Sequence, residues 1–500
     1  MARRGSLFSS VAVSHTPPSD QQYEQRLTHE SPFMPPDIRY VIVLMLENRS
    51  FDCMLGQLYT DREDFDGLKG TETNTWHDGK TNPTYPVRTD PTDGSADMFT
   101  PNPDPGEQFT DIAMQIHGKS GFEKPMSGFI DNYMSHAKPG TPRVPDAVMH
   151  YFTQAHVPAI SELARAFAVS DRWFASAPCQ TWPNRLFVHT GSAGGDVNNT
   201  GWHVPYMMQT TFERVAAGGK TWGIYFHDVP QTLTLGRLWP HREHFHPFQH
   251  FLADAKAGSL PSYSFIEPRY FADPLGKAMP NDQHPPHNVG YGDALIADVY
   301  NALRSGPGWK HTLFVITYDE HGGCYDHVAP GPAVSPGGEF PDGFRFDYYG
   351  VRVPAVIVSP FVKAKSVIRP TGTVPFDHTT IFRTLQDLFG LDPEPLTPRT
   401  ASAPSLVEHF AATPDNLGPS SIDAKRPLPS PQELDDASKL PPNGLQEALA
   451  QGASRLPSSG TDPVLHVKRL GSIAPPLPVH TTTGEVGADA RAHVKAFRGE

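Results

Sequence analysis

Residues 41–56 read VIVLMLENRSFDCMLG, and the change of character halfway along them decides the fold. The run YVIVLML at 40–46 is apolar, β-rich and unbroken. A short run of this kind predicts a strand of a parallel sheet covered on both faces. The next residues are Glu47, Asn48, Arg49, Ser50 and Asp52, all costly to bury without partners. A surface loop does not need the apolar lead-in. A plain core strand does not end in so many polar groups. Those groups therefore need an explanation of their own.

Runs at 312–317 and 355–359 have the same strand character. Helical stripes accompany them. One consists of Leu295, Ile296, Val299 and Leu303. Another consists of Ile381, Phe382, Leu385, Leu388 and Phe389, with Gly390 as its stop. Strands alternating with helices predict an α/β fold, a doubly wound and mostly parallel sheet with helices on both faces. Ligands of such sheets bind beyond the carboxyl ends of the strands.

Composition narrows the function. The chain has 500 residues, 38% of them hydrophobic and 10% aromatic, enough for a sizeable core. A net charge of −13 argues against nucleic acid as a partner and weakens electrostatic docking on anionic lipid. At most peripheral membrane contact is expected, and no protein partner is indicated. Three cysteines, Cys53, Cys179 and Cys324, make neither a disulfide framework nor a C-x-x-C zinc site. The first residues, MARRGSLFSSVAVSHTPPSD, have two arginines but lack the apolar run of about 7–15 residues that a signal peptide needs. The run at 40–46 is too short to cross a bilayer. A soluble, cytoplasmic protein is expected, with export by an unrecognised signal left open. The chain divides into a polar arm over 1–36, a globular catalytic part over 37–410 and a Pro- and Ser-rich extension over 411–500. The extension reads as an extended or partly disordered tail, with a short helix conceivable at 445–456.

The strand-end rule gives the opening stretch a meaning. Glu47 and Asn48 end the first strand, and TYDEHGGCYDHV at 317–328 puts Asp319 and Glu320 at the end of another. Converging carboxylates repel unless a positive charge lies between them. A divalent cation with oxygen ligands (Ca, Mg, Mn or Zn) satisfies them, and the Asn48 carbonyl is a suitable neutral ligand. Each cluster alone reads equally well as helix caps or salt-bridge partners; the pair favours the metal. Between the clusters lies APCQTWPNRLFVHTG, at 177–191. Trp182 precedes a proline and so leaves the helical region, and Pro183 can open a helix. Thr181 then falls just before a helix N-terminus, a natural seat for phosphate. Near a metal its hydroxyl becomes a nucleophile, with Arg185 as a clamp on phosphoryl oxygens. Without the neighbouring features this would read as an ordinary helix start.

ENRSFD at 47–52, TWPNRLFVHTG at 181–191, NDQHPPH at 281–287, YDEHGGCYDHV at 318–328 and FRFDYYGVRVPAVIVSPF at 344–361 occur in the same order in a known family. The chain thus resembles the phosphoesterase family of bacterial phospholipases C, plant non-specific phospholipases C and related acid phosphatases. The plant members look most similar, by their T-x-P-N-R-L context. The resemblance implies an alkaline-phosphatase-like fold. It implies metal ligation by Glu47, Asn48, Asp319 and Glu320, with the Thr181 hydroxyl at the metal. It implies catalytic roles for Thr181, His284 and His287, with Asn184, Arg185 and His321 on the substrate side. His321 is read alternatively as orienting the metal ligands, and His327 also occupies a motif position. The implied reaction attacks phosphorus with Thr181, forms a phosphothreonine and releases it with water. The implied substrate is a phospholipid such as phosphatidylcholine, cleaved to diacylglycerol and a phosphorylated head group. An acid phosphatase acting on small phosphate esters is the alternative, and a non-catalytic phosphate- or metal-binding relative a remote one. A sulfatase is disfavoured, because Thr181 stands where a formylglycine precursor needs Cys or Ser.

The chain departs from this resemblance in DPGEQF, where Glu107 replaces a family His. Either nearby His117 substitutes or the substrate pocket differs. The aromatic segment 221–251 reads equally as a lipid-facing wall or as the core of an insertion, with Trp222, Tyr225, Phe226 and Phe248 at issue.

Overall fold

The computed structural model describes residues 36–89, 97–121, 124–470 and 481–500. The arm expected over 1–36 lies outside them, Pro36 excepted. The main sheet has eight strands: β1 (Tyr40–Leu46), β2 (Ala168–Ser170), β3 (Trp222–Phe226), β4 (Phe245–Pro247), β5 (Tyr263–Glu267), β6 (Thr312–Tyr318), β7 (Ala355–Val358) and β8 (Ser366–Val367). Their order across the sheet is β8-β2-β7-β6-β1-β5-β3-β4. The first strand lies at the centre, parallel to β6 on one side and β5 on the other. Val41 to Leu46 and all of β6 are buried, so both faces are covered. Helices Pro158–Ala166, Phe248–Ala257 and Val289–Ser305 form one contacting group, and Thr181–Thr190, Thr211–Ala217 and Thr379–Phe389 another.

One strand departs from expectation. The run at 355–359 is a strand, but β7 is antiparallel to both β2 and β6. Its N-terminal end therefore shares an edge with the carboxyl ends of the others. That places Arg352 beside the loops that follow β1 and β6.

The C-terminal extension also departs. Residues 411–500 include helices Pro431–Lys439, Gly444–Ser454, Pro463–Leu470 and Thr483–Arg498. Leu445, Leu449, Val486, Val494 and Phe497 are buried in the same core as β1. Gln446 Nε2 donates to the Tyr270 carbonyl at 2.8 Å, and Phe497 lies edge-on to Phe245. A Cβ on Gly452 would sit 3.3 Å from Trp182, so this helix backs the residue next to Thr181. An unanchored tail is therefore ruled out for these residues.

The aromatic segment 221–251 resolves toward core. Trp222, Tyr225, Phe226 and Phe248 are all buried, the first three within β3. Among the described residues, no helix is long and apolar enough to cross a membrane. The three cysteines are free and buried.

Candidate functional site

The loops after β1 and β6 meet at the centre of the carboxyl edge. Asn48 takes a left-handed φ of 54°, and its backbone N–H donates to Asp319 Oδ1 at 3.0 Å. The loop after β6 turns through Gly322, at φ +59°. A Cβ there would come within 2.2 Å of the Asn48 carbonyl, so only glycine lets the two loops close.

Helix Thr181–Thr190 enters from the side, with Gln180 as its N-cap. Thr181 is thus the first helical residue rather than the one before it. Pro183 is the third, where its missing N–H costs nothing. Thr181 Oγ1 lies 3.3 Å from Glu47 Oε2 and 3.3 Å from Asn48 Oδ1. The residue is fully buried.

Arg185, one turn on, bridges the acids. Its Nη2 lies 2.6 Å from Glu47 Oε1, and its Nε 3.2 Å from Asp319 Oδ2. Nη2 also meets the Met45 and Leu46 carbonyls at 3.0 and 3.3 Å, and only Nη1 lacks a partner. The guanidinium thus grips the carboxylates, with Nη1 alone left over. The Asn184 Oδ1 accepts from the Ala177 N–H, and its Nδ2 is shared among the carbonyls of Ala177, Cys179 and Gln180. Its side chain braces the loop before Thr181 and has no group left for substrate. His321 likewise faces inward. Its Nε2–H donates to Gln115 Oε1 at 2.7 Å, which leaves Nδ1, 3.3 Å from Glu320 Oε2, without a proton to give that carboxylate. Burial pushes its pKa down to about 3, so it is neutral.

Four carboxylates crowd this centre. Burial raises the Glu47 carboxyl well above the ordinary range; Arg185 opposes the rise and Asp319 adds to it. Burial, then Glu107 and Asp319, raise Glu320 well above it too. Glu320 Oε2 accepts from the Gly322 N–H at 2.8 Å, but the buried Oε1 has no hydrogen-bond partner. An orphaned carboxylate oxygen beside Glu47, Asn48, Asp319 and Thr181 makes an all-oxygen donor set with excess negative charge. That set fits a divalent cation.

Glu107 stands in the centre itself. Its Oε2 accepts from Asn48 Nδ2 at 2.5 Å, and its Oε1 from Gln180 Nε2 at 3.3 Å. His284 Nε2 lies 3.2 Å from Glu107 Oε2. The His117 ring packs 6.0 Å from that of Tyr348. The His284 Nδ1 is 2.6 Å from the Pro285 carbonyl, which fixes that nitrogen as the donor and turns Nε2 toward the centre. Burial alone would lower its pKa, but Asp104 and Glu107 outweigh burial and raise it well above the usual value. His287 is held at Nδ1 by Asp282 Oδ1, 2.7 Å away, and keeps part of its ring exposed. Gln231, from the loop after β3, donates to Glu47 Oε1 at 2.6 Å. Gln231 and Asp282 escaped the sequence reading. Asp282 lay inside the quoted NDQHPPH, whereas Gln231 carried no motif.

Fold and centre together define an α/β protein whose strand ends gather an anionic, oxygen-lined site around a hydroxyl at a helix N-terminus. The chain belongs to the Phosphoesterase family, whose model matches residues 38–392. Its relatives include non-specific phospholipases C6 and C1 of Arabidopsis thaliana. Each is 37% identical, over 80% and 82% of this chain and 78% of each relative. Phospholipase C B of Mycobacterium tuberculosis (strain ATCC 25618 / H37Rv) is 27% identical over 77% of this chain and 80% of that protein. Among solved structures, a phosphonate monoester hydrolase of Agrobacterium radiobacter has a TM-score of 0.34 and 12% identity, covering 76% of this chain and 78% of that one. A likeness that weak adds nothing to the assignment.

Proposed function

We propose that this protein is a metal-dependent phosphoric-ester hydrolase that cleaves phospholipids in the phospholipase C manner. The products are diacylglycerol and a phosphorylated head group. The seat of Thr181 carries this reading: its hydroxyl is buried at a helix N-terminus, 3.3 Å from both Glu47 and Asn48. The printed names of the relatives, phospholipases C, support it.

Glu47, Asn48, Asp319 and Glu320 would hold the cation, with Thr181 Oγ1 beside them. When bound it supplies Lewis-acid stabilisation of phosphoryl charge. The positive end of the Thr181 helix draws the phosphate through its dipole, since Pro183 has no N–H and those of Trp182 and Asn184 already bond Asn199 Oδ1 and the Gln180 carbonyl. Thr181 gives up its proton to the Glu47 carboxylate, whose Oε2 is 3.3 Å away, and Oγ1 attacks phosphorus. A phosphothreonine forms as the bond to the diacylglycerol oxygen breaks. His284 or His287 gives that oxygen a proton. The same imidazole then takes a proton from water as the water attacks phosphorus, and the bond to Thr181 Oγ1 breaks as that oxygen takes back the proton held at Glu47.

Glu107 favours the diester over the monoester. A carboxylate at this position repels the second negative charge of a phosphomonoester dianion more than the single charge of a diester. The test is hydrolysis of p-nitrophenyl-phosphorylcholine against p-nitrophenyl phosphate by the purified protein with divalent metal supplied. The choline diester is expected to turn over faster. Faster monoester turnover would move the assignment to an acid phosphatase.

A further inference from the structure

A groove of about 580 Å³ opens beside the candidate site. Ligand sites span roughly 300–1,000 Å³. One wall carries Phe99, Met279, Pro280 and Tyr291; the facing wall carries Leu428 and Leu440, from the C-terminal extension. His287 belongs to the first wall, and its ring centroid is 6.0 Å from that of His284. The groove therefore starts at His287, beside the buried His284, and runs outward between 279–291 and the extension.

We infer that this groove receives the acyl chains of the departing diacylglycerol. The inference rests on the phosphodiester reading above and adds the place of the leaving group. A departing oxygen protonated by His284 or His287 carries its substituent away from Thr181, past that pair. The space there is mostly apolar. Among the described residues lining it there is no Lys or Arg, and Glu433 and Asp436 stand on the C-terminal wall. An anionic head group is repelled there, whereas hydrocarbon gains from burial. Leu428 and Leu440 are 91% and 57% exposed, an apolar lip that a chain would cover. The extension is thereby a wall of the substrate site.

The test compares kcat/KM for dioleoylphosphatidylcholine in mixed micelles with that for p-nitrophenyl-phosphorylcholine, which has no acyl chain. Leu440→Asp puts a charge on the lip, and Ala437→Trp fills the groove. In each the lipid-to-chromogenic ratio should fall about tenfold or more, the scale of lost pocket contacts. A wild-type ratio in both variants overturns the groove assignment and leaves the phosphodiester reading standing. Wild-type protein inert on both substrates overturns that reading itself. If either variant unfolds, Leu428→Asp decides by the same ratio, since its side chain is almost wholly in solvent.

Discussion

The loops after β1 and β6 build two acidic clusters, and the two are finished differently. Glu47, Asn48, Asp319 and Glu320 form one. Asp52, Asp326 and His327, a few residues further along the same loops, form the other. The second is closed. Arg352 places Nε 2.9 Å from Asp326 Oδ1 and Nη2 3.0 Å from Asp52 Oδ1. His327 lies 2.7 Å from Asp52 and 3.1 Å from Asp66. Burial would lower its pKa, but its bonds to those two aspartates raise it to about 10. The first cluster has Arg185 as its bridge, yet Glu320 Oε1 is left without a partner and Glu107 adds a further acid. A buried carboxylate without compensation is expensive, so it persists where a ligand completes it. The closed cluster ties the loops together; the open one is left for chemistry.

The largest expected effect falls on the open cluster. Thr181→Ala should lower kcat by at least about 10³-fold, as loss of a covalent nucleophile does. Thermal unfolding and metal content should stay near wild type. Wild-type turnover of p-nitrophenyl-phosphorylcholine by this variant would exclude the nucleophile. Arg352→Met is the counterpart in the closed cluster. It strands Asp52 and Asp326 and should cost about 3–5 kcal/mol of folding stability. Urea unfolding measures it. A loss below about 1 kcal/mol would show that the two clusters do not differ as argued, since exposed pairs are worth only that much.

The strand at 40–46 was legible to the residue, because a centrally placed parallel strand must be apolar throughout. The direction of β7 was not, since composition is the same for a strand running either way. The C-terminal helices were hidden for a different reason. They have few apolar residues, and these bury against one another and against segments such as Gln231–Thr234 and Tyr270–Phe271, which the catalytic part supplies. Their capping boxes were readable, at Ser430 with Glu433, Asn443 with Gln446, and Thr482 with Glu485. Glu47, Asn48, Asp319 and Glu320 could be found at strand ends by the edge rule. Asn184 and Arg185 could not be given their contacts, because a position in a helix's first turn does not say which way a side chain faces. Gln231 reaches Glu47 from a loop 184 residues away, a proximity that only the sheet order creates.

The smallest effect separates the clusters most sharply, because its sign should reverse. Glu320→Gln removes one charge from the open cluster while keeping the side chain's shape. The Oε2 position still accepts from the Gly322 N–H as the amide oxygen. The amide nitrogen then takes the orphaned Oε1 position, near Asp319 and Glu107, and turns repulsion into attraction. In metal-free protein the variant should therefore be more stable than wild type, by about 1 kcal/mol, the worth of one hydrogen bond gained. With saturating divalent metal the order should invert, because wild type binds the cation more tightly and binding adds to stability by mass action. Urea unfolding of both proteins, with chelator and then with metal, reads the two signs. Destabilisation of equal size in both conditions would mean that Glu320 is an ordinary structural acid, like Asp52 and Asp326, and that the open cluster is no metal site.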